Sequence, residues 1–399
     1  MKKQAAFLFG SGISIPSKVP SVYQITDAAR DEDWHLTTLK TFEPGVDPNP
    51  LSTDAVTPSV KAFLATLTTY AADCLNELKH LHGSRRPHYE DLFSLAEQAA
   101  RPETDHAPNL AVVEFVRRLR KDTESLHLNF KGGSGVHDGF VGLAEAACDF
   151  LHWVVHHKLR CAGGTRIGLE LISQIAREVE ALDLFTLNHD VLVEPQLKAD
   201  GITELEFGFH DHTHCECAVF SAWPAQECHP RKTVRIFKLH GSLNWYRYDF
   251  PDGSRQYAIP DGDPYHCHDQ NKRLLTPVDW KAAFLSGTVV KEQRYATGPW
   301  EHLFANFRSH LSKHTHLMCC GYGFGDTGIN QRVVQWMHDR PPPGNRLVIL
   351  TPEPPDPYFV DKPVWLTEFW REGRVDLVPK YLEKCALDDL RYFFDDPPK

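Results

Sequence analysis

The sequence predicts an α/β fold, a doubly wound parallel sheet carrying a large all-helical insertion. Three observations predict it. Short apolar-rich runs recur at Ala5–Phe9, Leu182–Leu187, Val234–Leu239, His316–Cys320 and Arg346–Leu350, and such runs without alternation read as strands buried on both faces. Helical patterns separate most of them, as crossovers between parallel strands require. From residue 31 to 165 helical periodicity dominates, which marks an insertion into the α/β part.

Taken in order, Ala5–Phe9 ends in a Gly10-Ser11-Gly12-Ile13-Ser14 turn, and Pro16 and Pro20 then hold the chain extended. A helix is expected near Ser21, with that serine capping Ile25–Arg30. Residues 31–58, rich in Pro, Thr and Asp, read as a long loop. Apolar residues at helical spacing predict helices over Val60–Leu81, Tyr89–Ala100, Leu110–Lys121 and Val136–Leu159. After Arg166 a helix over Ile167–Ala181 leads into the second apolar run, and further helices are expected at Val191–Leu197, Trp300–Leu311 and Gln331–His338. Residues 209–233 and 249–273 carry few periodic apolar positions and read as irregular excursions, whereas Tyr381–Phe394 reads as a docked helix. The expected division is therefore residues 1–30 and 166–399 in one α/β domain and residues 31–165 in a helical one.

Composition narrows the function. With 42 % hydrophobic and 24 % charged residues, the 399-residue chain has the make-up of a soluble globular protein. The formal net charge of -10 repels phosphate backbones, so direct nucleic-acid binding is not expected. The apolar stretch Ala5–Phe9 is too short for a signal peptide, and no run approaches the ~20 apolar residues of a membrane span. The ten cysteines form no regular disulfide framework, which points to a reducing, cytoplasmic setting.

Four strand ends carry the chemistry. Gly10-Ser11-Gly12 after the first strand lets backbone amides approach a pyrophosphate. Thr186-Leu187-Asn188-His189-Asp190 places an amide and a carboxylate after the next strand, where such folds bind ligands; helix capping explains Asp190 equally well but Asn188 less so. Lys238-Leu239-His240-Gly241-Ser242 offers a general base in His240, against the plainer role of a histidine satisfied by a loop carbonyl. Gly321-Tyr322-Gly323-Phe324-Gly325-Asp326 again allows close backbone approach, with Asp326 either on a ribose hydroxyl or capping a helix.

Read jointly, GSGIS, TLNHD and KLHGS stand in the order and form of the sirtuin superfamily's nucleotide loop, its TxNxD-type motif and its HGS-type histidine. The GYGFGD stretch, and His88-Tyr89-Glu90-Asp91-Leu92 in the helical part, resemble motifs of the sirtuin-like branch found in bacterial anti-phage defence. The resemblance implies a Rossmann-like, sirtuin-like core over residues 1–30 and 166–399. It implies cleavage of the nicotinamide–ribose bond of NAD, which is consumed as substrate. Asn188, His240 and Asp190 would be catalytic; Gly10, Ser11, Gly12, Ser14, Thr186, Gly241, Ser242, Gly321, Gly323 and Asp326 would bind the nucleotide, Asp326 through the adenosine-side ribose. It further implies a homo-oligomer and a partner of the HerA ATPase type. Two departures favour NAD hydrolysis over protein deacylation: the chain has no CxxC pair, and Pro20 is followed by Ser21-Val22-Tyr23 where deacylases have a Pro-Asp-Phe-Arg type segment. A deacylase or ADP-ribosyltransferase, and a non-catalytic nucleotide-binding subunit, are the competing readings.

A metal site is weighed on His210, His212, His214, Cys215, Cys217, Cys228 and His229, with His266, Cys267 and His268 further on. Zinc wants four such ligands, but the spacing matches no standard pattern. A His-rich surface loop is the plainer reading, and no metal is expected.

Overall fold

Five of the six residues of β1 (Gln4–Phe9) are buried, because the strand lies inside a seven-stranded sheet. The computed structural model describes residues 4–36, 42–44, 56–78, 85–101, 110–128, 130, 139–162, 166–211, 215–221, 233–269, 271–279, 281–288, 290–340, 344–353 and 362–394. The other strands of this sheet are β2 (Ala181–Thr186), β3 (Leu205–Glu206), β4 (Thr233–Lys238), β5 (His316–Cys320), β6 (Arg346–Leu350) and β7 (Val375–Val378). Their order is β7-β6-β5-β1-β2-β4-β3, and every pair is parallel. The fold is thus α/β, with the Rossmann-type doubly wound sheet expected.

Register matters for function. Phe9 pairs with both Thr186 and Cys320, Thr186 with Lys238, and Cys320 with Leu350. The carboxyl ends of these strands are therefore level, and the loops after them leave the same edge. From β1 the chain moves to β2 on one side, and from β5 to β6 on the other. β1 and β5 flank the switch point, where open α/β sheets bind their ligands.

The chain divides into two compact units. One comprises Met1–Val19, Ala162–Leu285 and Glu292–Lys399; the other comprises Pro20–Cys161 and Ser286–Lys291. The second is built from α1 (Val22–Asp31), α2 (Val56–Glu77), α3 (Tyr89–Ala100), α4 (Leu110–Asp122) and α5 (Gly139–Cys161). Ser21 caps α1 in a reciprocal box with Gln24. At the start of α3 the His88 amide donates to Asp91 Oδ2 at 3.0 Å, and Arg85 forks onto the same carboxylate. Within the expected loop 31–58, Trp34–Leu36 pairs with Phe42–Pro44, and α2 begins at Val56.

In the first unit, Phe185 of β2 packs 5.0 Å from Phe237 of β4 and 4.6 Å from Phe307 of α8 (Gly298–Leu311). The flanking helices α6 (Glu170–Glu178), α7 (Val193–Ala199), α9 (Thr327–His338) and α10 (Val364–Arg371) also belong here. Two sequence expectations fail in this unit. The stretches read as irregular contribute to a four-stranded antiparallel sheet in the order Phe209–Asp211, Cys217–Phe220, Arg255–Pro260, Tyr246–Asp249. Its strands carry few fully buried positions, Arg255–Pro260 only Ala258, so no apolar pattern marks them. The expected helix at Tyr381–Phe394 is a series of single turns, the longest Leu387–Leu390. Among the described residues no helix is long and apolar enough to cross a membrane.

Candidate functional site

The loop after β1 is fixed by the loop after β5. The Gly10 amide donates to the Cys320 carbonyl and the Gly12 amide to the Gly321 carbonyl, both at 3.0 Å. A Cβ on Gly10 would stand 2.5 Å from the Gly321 oxygen, and one on Gly12 2.6 Å from Gly321 Cα. Gly321 itself holds a φ of +62, the left-handed region that glycine enters without strain. These glycines let two backbones touch at the switch point. The expectation that the Gly10 and Gly12 amides cradle a pyrophosphate meets a different arrangement, since both are engaged by carbonyls, of Cys320 at the end of β5 and of Gly321 just after it. Ser11–Ser14 then forms one 3-10 turn that brings Ser14 inward, 1 % exposed.

Ser14 gathers the second motif. Its hydroxyl donates to Asp190 Oδ2 at 2.7 Å and accepts from Asn188 Nδ2 at 3.0 Å. Thr186, the last residue of β2, shapes the turn by accepting the Asn188 amide on its hydroxyl at 3.1 Å. Asp190 Oδ1 takes the Leu192 amide at 3.2 Å. Burial pushes the Asp190 carboxyl above its ordinary value, against the opposing pull of Lys238, Ser14 and the Leu192 amide. The Lys238 ammonium, at the end of β4, donates to the Asp190 carbonyl and lies 3.0 Å from Glu194 Oε1. Its buried charge is thereby paired.

His240 follows β4 and is 4 % exposed. Its Nε2 lies 3.1 Å from the Tyr295 hydroxyl and 3.2 Å from Asp326 Oδ2. Gly241 makes the turn at a φ of +80, and a Cβ there would strike the Ala283 oxygen at 2.3 Å. Ser242 Oγ and the Leu243 amide both donate to the His189 carbonyl, at 3.3 and 3.0 Å. The TLNHD and HGS loops are thus one hydrogen-bonded body.

Asp326 caps α9 by accepting the Ile329 amide at 2.9 Å, while its other oxygen accepts the Tyr295 hydroxyl at 2.8 Å. Asp326 is expected to hold the adenosine-side ribose; its carboxylate is here turned to His240 and Tyr295. Phe324, in the same loop, holds a φ of +59, which a bulky residue rarely adopts. The side-chain amide of Asn330 donates to its carbonyl at 2.8 Å.

At the ends of β1, β5 and β6 lies a cavity of about 400 Å³. Gly12, Ile13, Gly321, Tyr322, Gly323, Thr351, Glu353 and Lys362 are among its walls. The Tyr322 hydroxyl donates to Asn330 Oδ1 at 2.9 Å. The structure therefore groups Ser14 with Asn188 and Asp190, groups His240 with Asp326, and places Gly12, Gly321 and Gly323 on the cavity.

Sequence reading assigned no role to Tyr295, Lys238 or Glu353. Lys238 leaves a signal, a cation closing a buried strand. Tyr295 leaves none, because no periodic pattern surrounds it. Glu353 leaves one only once its place after β6 is known.

Of the weighed metal ligands, Cys215 and Cys217 have sulfurs 2.7 Å apart, His268 pairs with Glu216, and His266 pairs with Asp263. His212, His214, Cys228 and His229 lie outside the described residues. Among the described residues no group of three or more ligands suited to a metal is present.

Residues 183–372, just under half of the chain, match the family model of the SIR2-like domain. That stretch holds Asn188, Asp190, His240, Tyr295 and Asp326. Among solved structures, a Sir2 homologue–NAD complex is similar over 98 % of this chain and 90 % of its own, at 11 % identity and a TM-score of 0.35. A complex of Sir2 with a p53 peptide and NAD+ is similar over 98 % and 92 %, at 11 % identity and a TM-score of 0.30. No curated protein matches the sequence.

Proposed function

We propose that the protein is an NAD glycohydrolase, cleaving the bond between nicotinamide and ribose to give nicotinamide and ADP-ribose. One observation carries the reading. A buried hydroxyl, amide and carboxylate (Ser14, Asn188, Asp190) and a buried histidine (His240) lie at the level carboxyl ends of neighbouring strands beside the switch point, and Asn188, Asp190 and His240 fall within the SIR2-like match. The nicotinamide–ribose bond breaks heterolytically, its electron pair going to the pyridinium nitrogen to leave neutral nicotinamide. A water oxygen bonds to the ribose carbon and gives up its proton. In this reading Asn188, held by Ser14 and Thr186, positions the water and the ribose, and His240 takes the proton. Asp190 orients the carboxamide; it keeps lone pairs beyond those that Ser14 and Leu192 use. The cavity beside Gly12 and Gly321 receives the adenosine half, where Glu353 is the carboxylate placed for a ribose hydroxyl.

The biological role we attach is depletion of NAD as an anti-phage effector, in a cytoplasmic homo-oligomer paired with a HerA-type ATPase. It is supported by the motif resemblance alone. The absence of any CxxC pair supports hydrolysis over deacylation.

Chromatography of products from NAD, with and without an acetylated peptide, separates the readings. Nicotinamide and ADP-ribose without peptide are expected. Turnover that requires the peptide and yields an acylated ADP-ribose would instead establish a deacylase. Saturable NAD binding without any product, with the candidate ATPase present, would establish a binding subunit.

A further inference from the structure

His240 is one corner of a buried triangle. Its Nε2 is 3.1 Å from Tyr295 Oη and 3.2 Å from Asp326 Oδ2, and Tyr295 donates to that same Asp326 oxygen at 2.8 Å. The three side chains belong to residues 4 %, 4 % and 7 % exposed. Proton accounting fixes the direction of these bonds. A phenol has one proton, and here it goes to Asp326; an ionised carboxylate has none. Both neighbours of Nε2 are then acceptors, so Nε2 carries the ring proton, and the acceptor lone pair of the neutral imidazole is on Nδ1.

The placement of Tyr295 does not depend on its hydroxyl. The ring stacks on Phe304 with centroids 3.9 Å apart, and the Arg332 guanidinium lies 5.5 Å from its centre. Gly328, in the first turn of α9, is the floor beneath it: a Cβ there would stand 2.5 Å from the ring. Glycine is a poor helix residue, and the packed ring explains its presence. Asp326 is held just as firmly by its cap on Ile329. A ring docked on three sides and a carboxylate locked by a helix start converge on one imidazole nitrogen.

We propose that Tyr295 and Asp326 are positioning residues for His240, holding its imidazole as the Nε2-protonated tautomer so that Nδ1 receives the proton. The inference rests on the reading of His240 as the base of NAD cleavage. The proton leaves the attacking water for Nδ1, and the imidazolium that results is stabilised by Asp326, which stays ionised. Among the described residues, other titratable groups near this centre include His189, whose ring centroid is 6.3 Å from that of His240, and Glu292, Tyr322 and Arg332, which bear on Tyr295.

The test is histidine-selective 15N and 13C NMR of the full chain, with the His240 signals assigned by His240→Gln. The wild-type spectrum is expected to show the Nε2-protonated form. Asp326→Asn keeps a capping oxygen and should lower the His240 protonation constant by about tenfold or more. Tyr295→Phe and Gly328→Ala should each shift it less, in the same direction. In NAD cleavage, Asp326→Asn should reduce kcat by about 10²-fold with little change in KM, and move the acid limb of the pH profile to lower pH. An Nδ1-protonated His240 in the wild type, or a His240 titration unmoved in all three variants, would overturn the proposal. If the NMR results hold while the wild type cleaves no NAD, the positioning pair stands and the reading of the reaction falls.

Discussion

Replacing Ser14 by alanine removes a hydroxyl that accepts from Asn188 and donates to Asp190. Both partners are buried, so each loses a bond it cannot recover from solvent, at a cost of about 1–3 kcal/mol. Ser14→Ala should therefore lower both the denaturation midpoint and the rate of NAD cleavage; wild-type values for both would mean that Ser14 does not organise this corner. Gly10→Ala tests the glycine contact. Its Cβ would stand 2.5 Å from the Gly321 oxygen, an overpacking that typically costs about 1–3 kcal/mol. Urea unfolding should show that loss, and an unchanged midpoint would refute the close approach. At this scale the sequence was informative about which residues and silent about which partners. Asn188, Asp190 and His240 stand at strand ends and could be named from pattern. The Asp326–His240 contact joins residues that only the folded sheet brings together, and Tyr295 has no neighbouring pattern to betray it.

The strands of the parallel sheet were legible because burial on both faces leaves them almost wholly apolar: His316–Cys320 and Arg346–Leu350 need no adjustment. β3 and β7 were missed, the first for its two residues and the second for its four residues with only the two end valines buried. The antiparallel sheet was missed because its strands mix polar with partly buried positions, as in Arg255–Pro260, where only Ala258 is buried. One element-level feature breaks the apolar rule. Asp183, buried in the middle of β2, accepts from Arg235 Nε of β4 at 2.5 Å and from His314 Nε2 at 2.8 Å, with His310 at 3.2 Å. Burial pushes its carboxyl up, but the bonds from His310 and His314 and the charge of Arg235 outweigh that and hold it far below the usual value of 3.8. A folded value below the unfolded one means stability that is present above the unfolded value and lost as pH falls beneath it. Asp183→Asn should lower stability by about 3 kcal/mol at neutral pH and flatten the loss of stability below about pH 4. An acid limb identical to wild type would show that Asp183 does not carry it.

Across the whole molecule, the two units differ in what they contribute. The unit with the parallel sheet contains all the residues proposed for chemistry, while the helical unit contains the HYEDL stretch at the start of α3. The expected division at residues 30 and 166 and the observed units differ chiefly in α1, which clusters with the helices. Its amphipathic pattern identifies a helix without saying which core it joins. An oligomer is proposed, so light scattering should give a mass that is a multiple of 45.4 kDa, and a strict monomer with and without the ATPase would contradict that part of the reading.

The ends of β1, β2 and β4 are proposed to form one NAD-cleaving site. Its most direct measurement is nicotinamide release from NAD by the wild type, Asn188→Ala and His240→Ala, with no peptide added and with folding checked by circular dichroism. Loss of a base costs about 10²–10⁴ in rate, so release is expected from the wild type and none detectable from either folded variant. Near wild-type release from folded His240→Ala would contradict it.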